Sequence, residues 1–138
     1  MIELQPSAEK KRAVLAGLNT EKSPERYLSS MKELAQLAEA CDLEVTSSIV
    51  QNAPAVTQKT LFGRGKIEEI KTAVLADDAD IVIVKESLTP MQVRNLEDFL
   101  DTEVMDRTGI ILQIFSTRAR TREARLQVKS AQLQYMLP

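Results

Sequence analysis

Residues Asp80 to Val84 read DIVIV, in which the four residues after Asp80 are β-branched with no polar alternation. A strand that is apolar on both faces has both faces covered, as in a parallel sheet packed between helices. Immediately upstream, FGRGK (Phe62 to Lys66) leads into a helix whose expected buried face is Ile67, Ile70, Val74 and Leu75. Immediately downstream, Thr89 is placed to cap a helix opened by Pro90. Met91, Val93, Leu96, Phe99 and Leu100 supply the apolar content of that helix, and EVMD (Glu103 to Asp106) follows as a further short strand.

The same alternation runs back toward the amino terminus. AVLAGL (Ala13 to Leu18) and the β-branched LEVTSSIVQ (Leu43 to Gln51) read as strands. Between them, Tyr27, Leu28, Met31, Leu34, Ala35 and Ala38 recur at three- and four-residue steps, after Ser23 as N-cap and Pro24 at the first helical position. Asn52 to Thr60 is polar, with Pro54, and reads as a loop. Four strands alternating with helices predict the α/β class, with a small parallel four-stranded sheet flanked by helices over residues 1–106. The order of the strands is not legible from the sequence alone.

After Asp106 the pattern changes. Asp106 can cap a helix beginning at Arg107, with Ile110, Ile111, Ile114 and Phe115 as an apolar face. From Thr117 to Leu137 there is no Gly or Pro, so residues 107–138 read as a basic, all-helical, truncated second subdomain. Charge divides at the same point. Residues 1–106 hold 12 Lys/Arg against 19 Asp/Glu, a balance of −7, and residues 107–138 hold 6 against 1, a balance of +5. An acidic body with a basic arm points to an anionic partner for the arm.

Several chemistries are excluded by composition. The chain has no His, so a Ser-His-Asp triad, a Cys-His pair and the common zinc and haem ligand sets cannot form. Cys41 is the only cysteine, which rules out an intrachain disulfide and fits a reducing cytoplasm. The longest apolar run, Ile81 to Val84, is far too short to span a membrane, and Met1 to Ser7 does not resemble a signal peptide.

Two groups of residues carry candidate sites in the body and the arm. Gly63-Arg64-Gly65-Lys66 precedes a helix, where backbone N–H groups can converge on an anion or a nucleotide. It is not a Walker A loop: Thr60 stands where the first glycine belongs and Ile67 where the Mg²⁺-binding hydroxyl belongs. A tight turn at a helix start is the plainer reading and is favoured over an exposed anion- or RNA-contacting loop. The acids Asp77, Asp78 and Asp80 read as a solvated loop, with no metal site expected, and Glu86 lies at the carboxyl end of its strand. In the arm, Arg118, Arg122, Arg125 and Lys129 fall within about 60° on a continuous helix, a cationic stripe suited to nucleic-acid phosphates. Leu126, Leu133 and Leu137 lie beside it and offer a surface for the rest of the protein, or for a truncation-driven dimer.

Taken together, Gly63 to Lys66 with Glu68 and Glu69, Leu88-Thr89-Pro90, Arg94-Asn95-Leu96-Glu97, and Val104 to Thr108 resemble the amino-terminal region of the HflX-type ribosome-associated GTPases. Ile111-Leu112, Ile114-Phe115, Arg118-Ala119, Leu126-Gln127-Val128, Ala131-Gln132-Leu133, Tyr135 and Leu137-Pro138 continue the likeness. The resemblance implies a parallel α/β subdomain followed by a helical hairpin, of which this arm is the first part, with a GTPase domain after it. It implies binding to the large ribosomal subunit and its rRNA, and a role in splitting stalled ribosomes under stress. For some members it also implies ATP binding and RNA remodelling by the amino-terminal region.

Where the family usually has Glu-Gly-Lys this chain has Glu123-Ala124-Arg125, and Lys129 replaces a usual acid; both changes make the arm more basic. GTPase motifs are not in these 138 residues, so GTP and Mg²⁺ belong to the absent domain of the parent, and the chain alone is expected to hold no cofactor and to hydrolyse nothing. The leading expectation is a ribosome-binding domain that contacts rRNA backbone and positions or regulates its own GTPase domain. The alternative is an ATP- or nucleotide-binding domain that remodels RNA.

Overall fold

A computed structural model describes residues 10–21, 23–53, 57–118 and 131–135. Strands β1 (Lys11–Asn19), β2 (Leu43–Asn52), β3 (Ile81–Val84) and β4 (Glu103–Asp106) form one sheet. Helices α1 (Pro24–Ala40), α2 (Arg64–Asp77) and α3 (Pro90–Leu100) connect them, and α4 (Arg107–Arg118) follows β4. The strand order is β2-β1-β3-β4 and every pairing is parallel. The α/β class and the four parallel strands are as the sequence predicts.

The burial of β3 explains why DIVIV looks as it does. Ile81 and Ile83 face a core layer shared with Leu15, Leu34 and Ile110, beneath α1 and α4. Val82 and Val84 face the other layer, with Val14, Ile70 and Leu96, beneath α2 and α3. All four are at most 1% exposed, so either face would lose a packed side chain on substitution.

Edge strand β2 changes face part-way along. Ala13 pairs with Val45 but Val14 pairs with Ser47, so Thr46 is an extra residue in a β-bulge. Val45 packs under α1, whereas Ile49, beyond the bulge, packs under α2 and α3. Ser47 thereby reaches Asp77 at the end of α2. Its hydroxyl, and then that of Thr46, hold the Asp77 carboxyl below its ordinary value, with Arg12 adding to the effect.

Helix starts follow the expected residues with one difference. Thr89 forms a full capping box: its hydroxyl accepts from Gln92 N at 3.1 Å, and Gln92 Oε1 accepts from Thr89 N at 2.9 Å. Ser23 occupies the N-cap of α1, but its side chain makes no capping bond. The buried faces are also narrower than the spacing predicts. Leu75 is 72% exposed and Leu28 54% exposed. Each lies about 80–100° around its helix from the buried rows Ile67-Ile70-Val74 and Tyr27-Met31-Leu34-Ala38, which puts it outside the core-facing stripe.

Residues 131–135 lie alongside α4 and not beyond its end. Residues 131–135 are helical, yet Gln132 Nε2 donates to Leu112 O at 3.3 Å and the Tyr135 hydroxyl accepts from Asp106 N at 3.3 Å. A straight continuation of α4 would carry residue 132 roughly 30 Å from residue 112. Residues 131–135 therefore run antiparallel to α4, and the described residues already contain two helical passes. Among the described residues, no helix is long and apolar enough to cross a membrane.

Candidate functional site

Gly63 is the N-cap of α2, with φ −68° and ψ 160°, a conformation open to any residue. Its N–H donates to Gln51 Oε1 at 3.0 Å, so the turn is tied to the end of β2. Arg64 and Gly65 are exposed at the first turn, and a Cβ at Gly65 would meet nothing within 4 Å. Lys66 Nζ lies 2.7 Å from Glu69 Oε2, one helical turn along. The unusual backbone lies just upstream, where Leu61 adopts φ 68°. Reciprocal bonds between Thr57 and Leu61 at 3.0 and 2.7 Å close that turn. The four residues thus form an ordered, solvent-facing helix start, with Arg64 the exposed cation at its tip.

Open α/β sheets bind ligands at the carboxyl edge where the strand order reverses, which here is the crevice between β1 and β3. Side chains of the chain itself fill this position. Glu86 Oε1 accepts from Leu18 N at 2.8 Å, and Glu86 Oε2 accepts from the Tyr27 hydroxyl at 2.7 Å. Lys85 Nζ sits 4.7 Å over the Tyr27 ring and 3.7 Å from Glu86. Burial, reinforced by the bond to Glu86, raises the Tyr27 phenol. Glu86 therefore locks β1, β3 and α1 together. Gly17 makes room for this lock, since a Cβ there would sit 2.1 Å from the Tyr27 hydroxyl.

A second cluster joins the arm to the body. Asp106, 1% exposed, accepts from Gly109 N at 3.0 Å, which is the expected cap of α4. Its other oxygen accepts from Leu88 N at 2.9 Å, in the turn entering α3. The Tyr135 phenol is raised by burial and by its bond to the Asp106 side chain. Beside this cluster a groove of ≈ 180 Å³ lies along the open edge of β4, floored by Leu88, Val93 and Met105 with Glu97 and Tyr135 at its sides. Val104 N donates to Glu97 Oε2 at 3.1 Å, so Glu97 and Tyr135 occupy the outward amides of this edge strand.

Of the cationic stripe, Arg118 ends α4 with its side chain outside the described residues. Arg122, Arg125 and Lys129 also lie outside them. Among the described residues no group of His, Cys, Asp or Glu could hold a metal ion, and Asp77, Asp78 and Asp80 do not converge.

Comparison with known proteins decides the family. Residues 28–116 match the family described as GTP-binding GTPase N-terminal. The chain is 42% identical over 130 residues to a GTPase HflX of Caldanaerobacter subterraneus, covering 94% of this chain and 30% of the relative. Identity to the GTPase HflX of Escherichia coli is 38% over 112 residues, covering 81% of this chain and 26% of the relative. This chain is an amino-terminal domain of the HflX family. It spans about 30% of the length of the curated relatives that it matches. A GTP-binding protein of Sulfolobus solfataricus in complex with GDP has the same fold, with a TM-score of 0.70 and 28% identity over 93% of this chain and 37% of its own.

Three structural contacts of this HflX domain were not read from the sequence: Glu86 with Tyr27, Asp106 with Tyr135, and Glu97 on the β4 edge. Gly109 carried a signal for the second. A glycine in the first turn of a helix is costly unless something approaches closely, and here a Cβ would meet Met105 Cγ at 2.4 Å and the Tyr135 hydroxyl at 3.1 Å.

Proposed function

We propose that this HflX domain binds the large ribosomal subunit through rRNA backbone and positions or regulates the GTPase domain of its parent. The observation that carries this function is the charge step at Asp106, from −7 over residues 1–106 to +5 over residues 107–138. Arg118, Arg122, Arg125 and Lys129 are the proposed phosphate contacts, because arginine forks and a lysine ammonium pair with phosphate oxygens without reading bases. Arg64 forms a second, smaller patch with the turn Gly63, Gly65 and Lys66, although the pairing of Lys66 with Glu69 leaves Arg64 its principal free charge. The whole protein would bind and hydrolyse GTP with Mg²⁺ in a domain beyond these residues, in the cytoplasm where ribosomes act.

The alternative of ATP binding and RNA remodelling is disfavoured by what occupies the carboxyl edge of the sheet. Tyr27, Lys85 and Glu86 fill the crevice at the strand-order reversal, and Gly63 N is spent on Gln51. Calorimetry with ATP and Mg²⁺ is expected to be silent. Micromolar binding abolished by Lys66→Ala would restore the alternative.

The leading function is tested by Arg122→Glu with Arg125→Glu in the full-length protein. Affinity for large subunits is expected to fall, and the slope of log affinity against log salt to become shallower by about 1.5, roughly 0.7–0.9 for each phosphate that is no longer neutralised. An unchanged affinity with an unchanged slope removes the arm from the interface.

A further inference from the structure

Asp106 and the turn at residues 57–61 meet the start of α3 from two sides, and hydrogen bonds join them without a gap. From the arm, the Tyr135 hydroxyl accepts from Asp106 N at 3.3 Å, and Asp106 Oδ2 accepts from Leu88 N at 2.9 Å. Leu88 leads directly into the Thr89–Gln92 capping box. Gln92, 8% exposed, uses its remaining amide to donate to Gln58 O at 3.1 Å, and Asn95 Nδ2 donates to Lys59 O at 2.9 Å. Gln58 and Lys59 lie inside the turn that Thr57 and Leu61 close, and that turn delivers Phe62 and Gly63 to the N-terminus of α2.

We propose that this chain of contacts is a conformational relay, through which the position of arm residues 131–135 on the body sets the geometry of the Gly63–Lys66 turn. Two features distinguish it from ordinary packing. Its nodes are buried side chains acting in two directions at once: Asp106 holds α4 and the entry to α3, and Gln92 holds its own cap and the 57–61 turn. Its far end is strained, because Leu61, packed in the core beneath α2 and α3, is held at φ 68°, an uncommon conformation for a leucine. Leu61 is bonded to Thr57 within its own turn, and α3 holds that turn through Gln58 O and Lys59 O, so a shift of α3 is passed to the strained residue. The coupling is independent of what either end binds.

The test is amide hydrogen exchange followed by NMR on this chain and its Tyr135→Phe variant, which keeps the ring and removes the hydroxyl. Exchange is expected to rise about fivefold, the factor of one broken hydrogen bond, at Gly109 and Leu88 and also at Leu61 and Thr57. Amides of β1 and β3 should be unchanged. Gln92→Glu with Asn95→Ala keeps the cap acceptor but removes both donors to the turn, at Gln58 O and Lys59 O; in that background Tyr135→Phe should still act at Leu88 and no longer at Leu61. A change confined to residues 106–112 and 131–135 overturns the relay. So does a uniform rise across the sheet, or an effect on Leu61 that persists in Gln92→Glu with Asn95→Ala.

Discussion

Gly17 and Gly109 are small because neighbouring side chains stand where theirs would be, the Tyr27 hydroxyl 2.1 Å from a Cβ at Gly17 and Met105 Cγ 2.4 Å from one at Gly109. At Gly17 the neighbour is Tyr27, held by Glu86 across the ends of β1 and β3. Gly17→Ala is expected to push Tyr27 off Glu86 and to destabilise the domain by about 1–3 kcal/mol, read as a lower urea midpoint. Tyr27 and Tyr135 are the chain's two tyrosines, and burial with a carboxylate partner raises both phenols above their ordinary value of 10.0. A group whose folded pKa is raised contributes stability below its unfolded pKa and loses it as pH rises beyond that value. Phenolate absorbance should therefore be absent at pH 10–11 while the domain is folded and appear together with unfolding. Ordinary titration of either tyrosine near pH 10 in the folded protein would contradict its placement.

Each connecting helix ends against an aspartate in the left-handed conformation: Asp42 at φ 62°, Asp78 at φ 52° and Asp101 at φ 52°. Glycine takes that conformation at no steric cost, and a carboxylate opposes the negative end of the helix. Asp101→Gly is expected to raise stability by a few tenths to about 1 kcal/mol, less what the freer unfolded chain recovers, as a higher thermal midpoint. At the end of α2, Asp77 behaves differently. Its carboxyl is held low by the hydroxyls of Ser47 and Thr46, so its contribution is present at neutral pH and lost as pH falls through 3.8 and below. Asp77→Asn should weaken the domain at pH 7 and have little effect near pH 2. The elements themselves were legible, since β-branched runs, Thr89-Pro90 and the three-four spacing mark them locally. Their faces were legible only in part. Gln113 is buried in α4 while Phe115 is exposed, an exchange of polar for apolar on the core face that spacing alone does not show. The Thr46 bulge likewise depends on the partner strand and has no local signature.

At the scale of the molecule, strand order and the return of residues 131–135 were beyond sequence reading. Both are set by contacts between residues far apart in the chain, such as Gln132 with Leu112. The absence of Gly and Pro after Thr117 predicted helix correctly for residues 131–135, but good helix propensity does not fix the direction in which those residues run. The charge step at Asp106, by contrast, is visible in the sequence and is what the function rests on. The measurement that tests it most directly is the salt dependence of binding between this chain and purified large ribosomal subunits. With four cations on phosphate, log affinity against log salt is expected to fall with a slope of about −3 between roughly 50 and 200 mM salt. Binding with a slope near zero, or equal binding to small subunits, would contradict a basic arm seated on large-subunit rRNA.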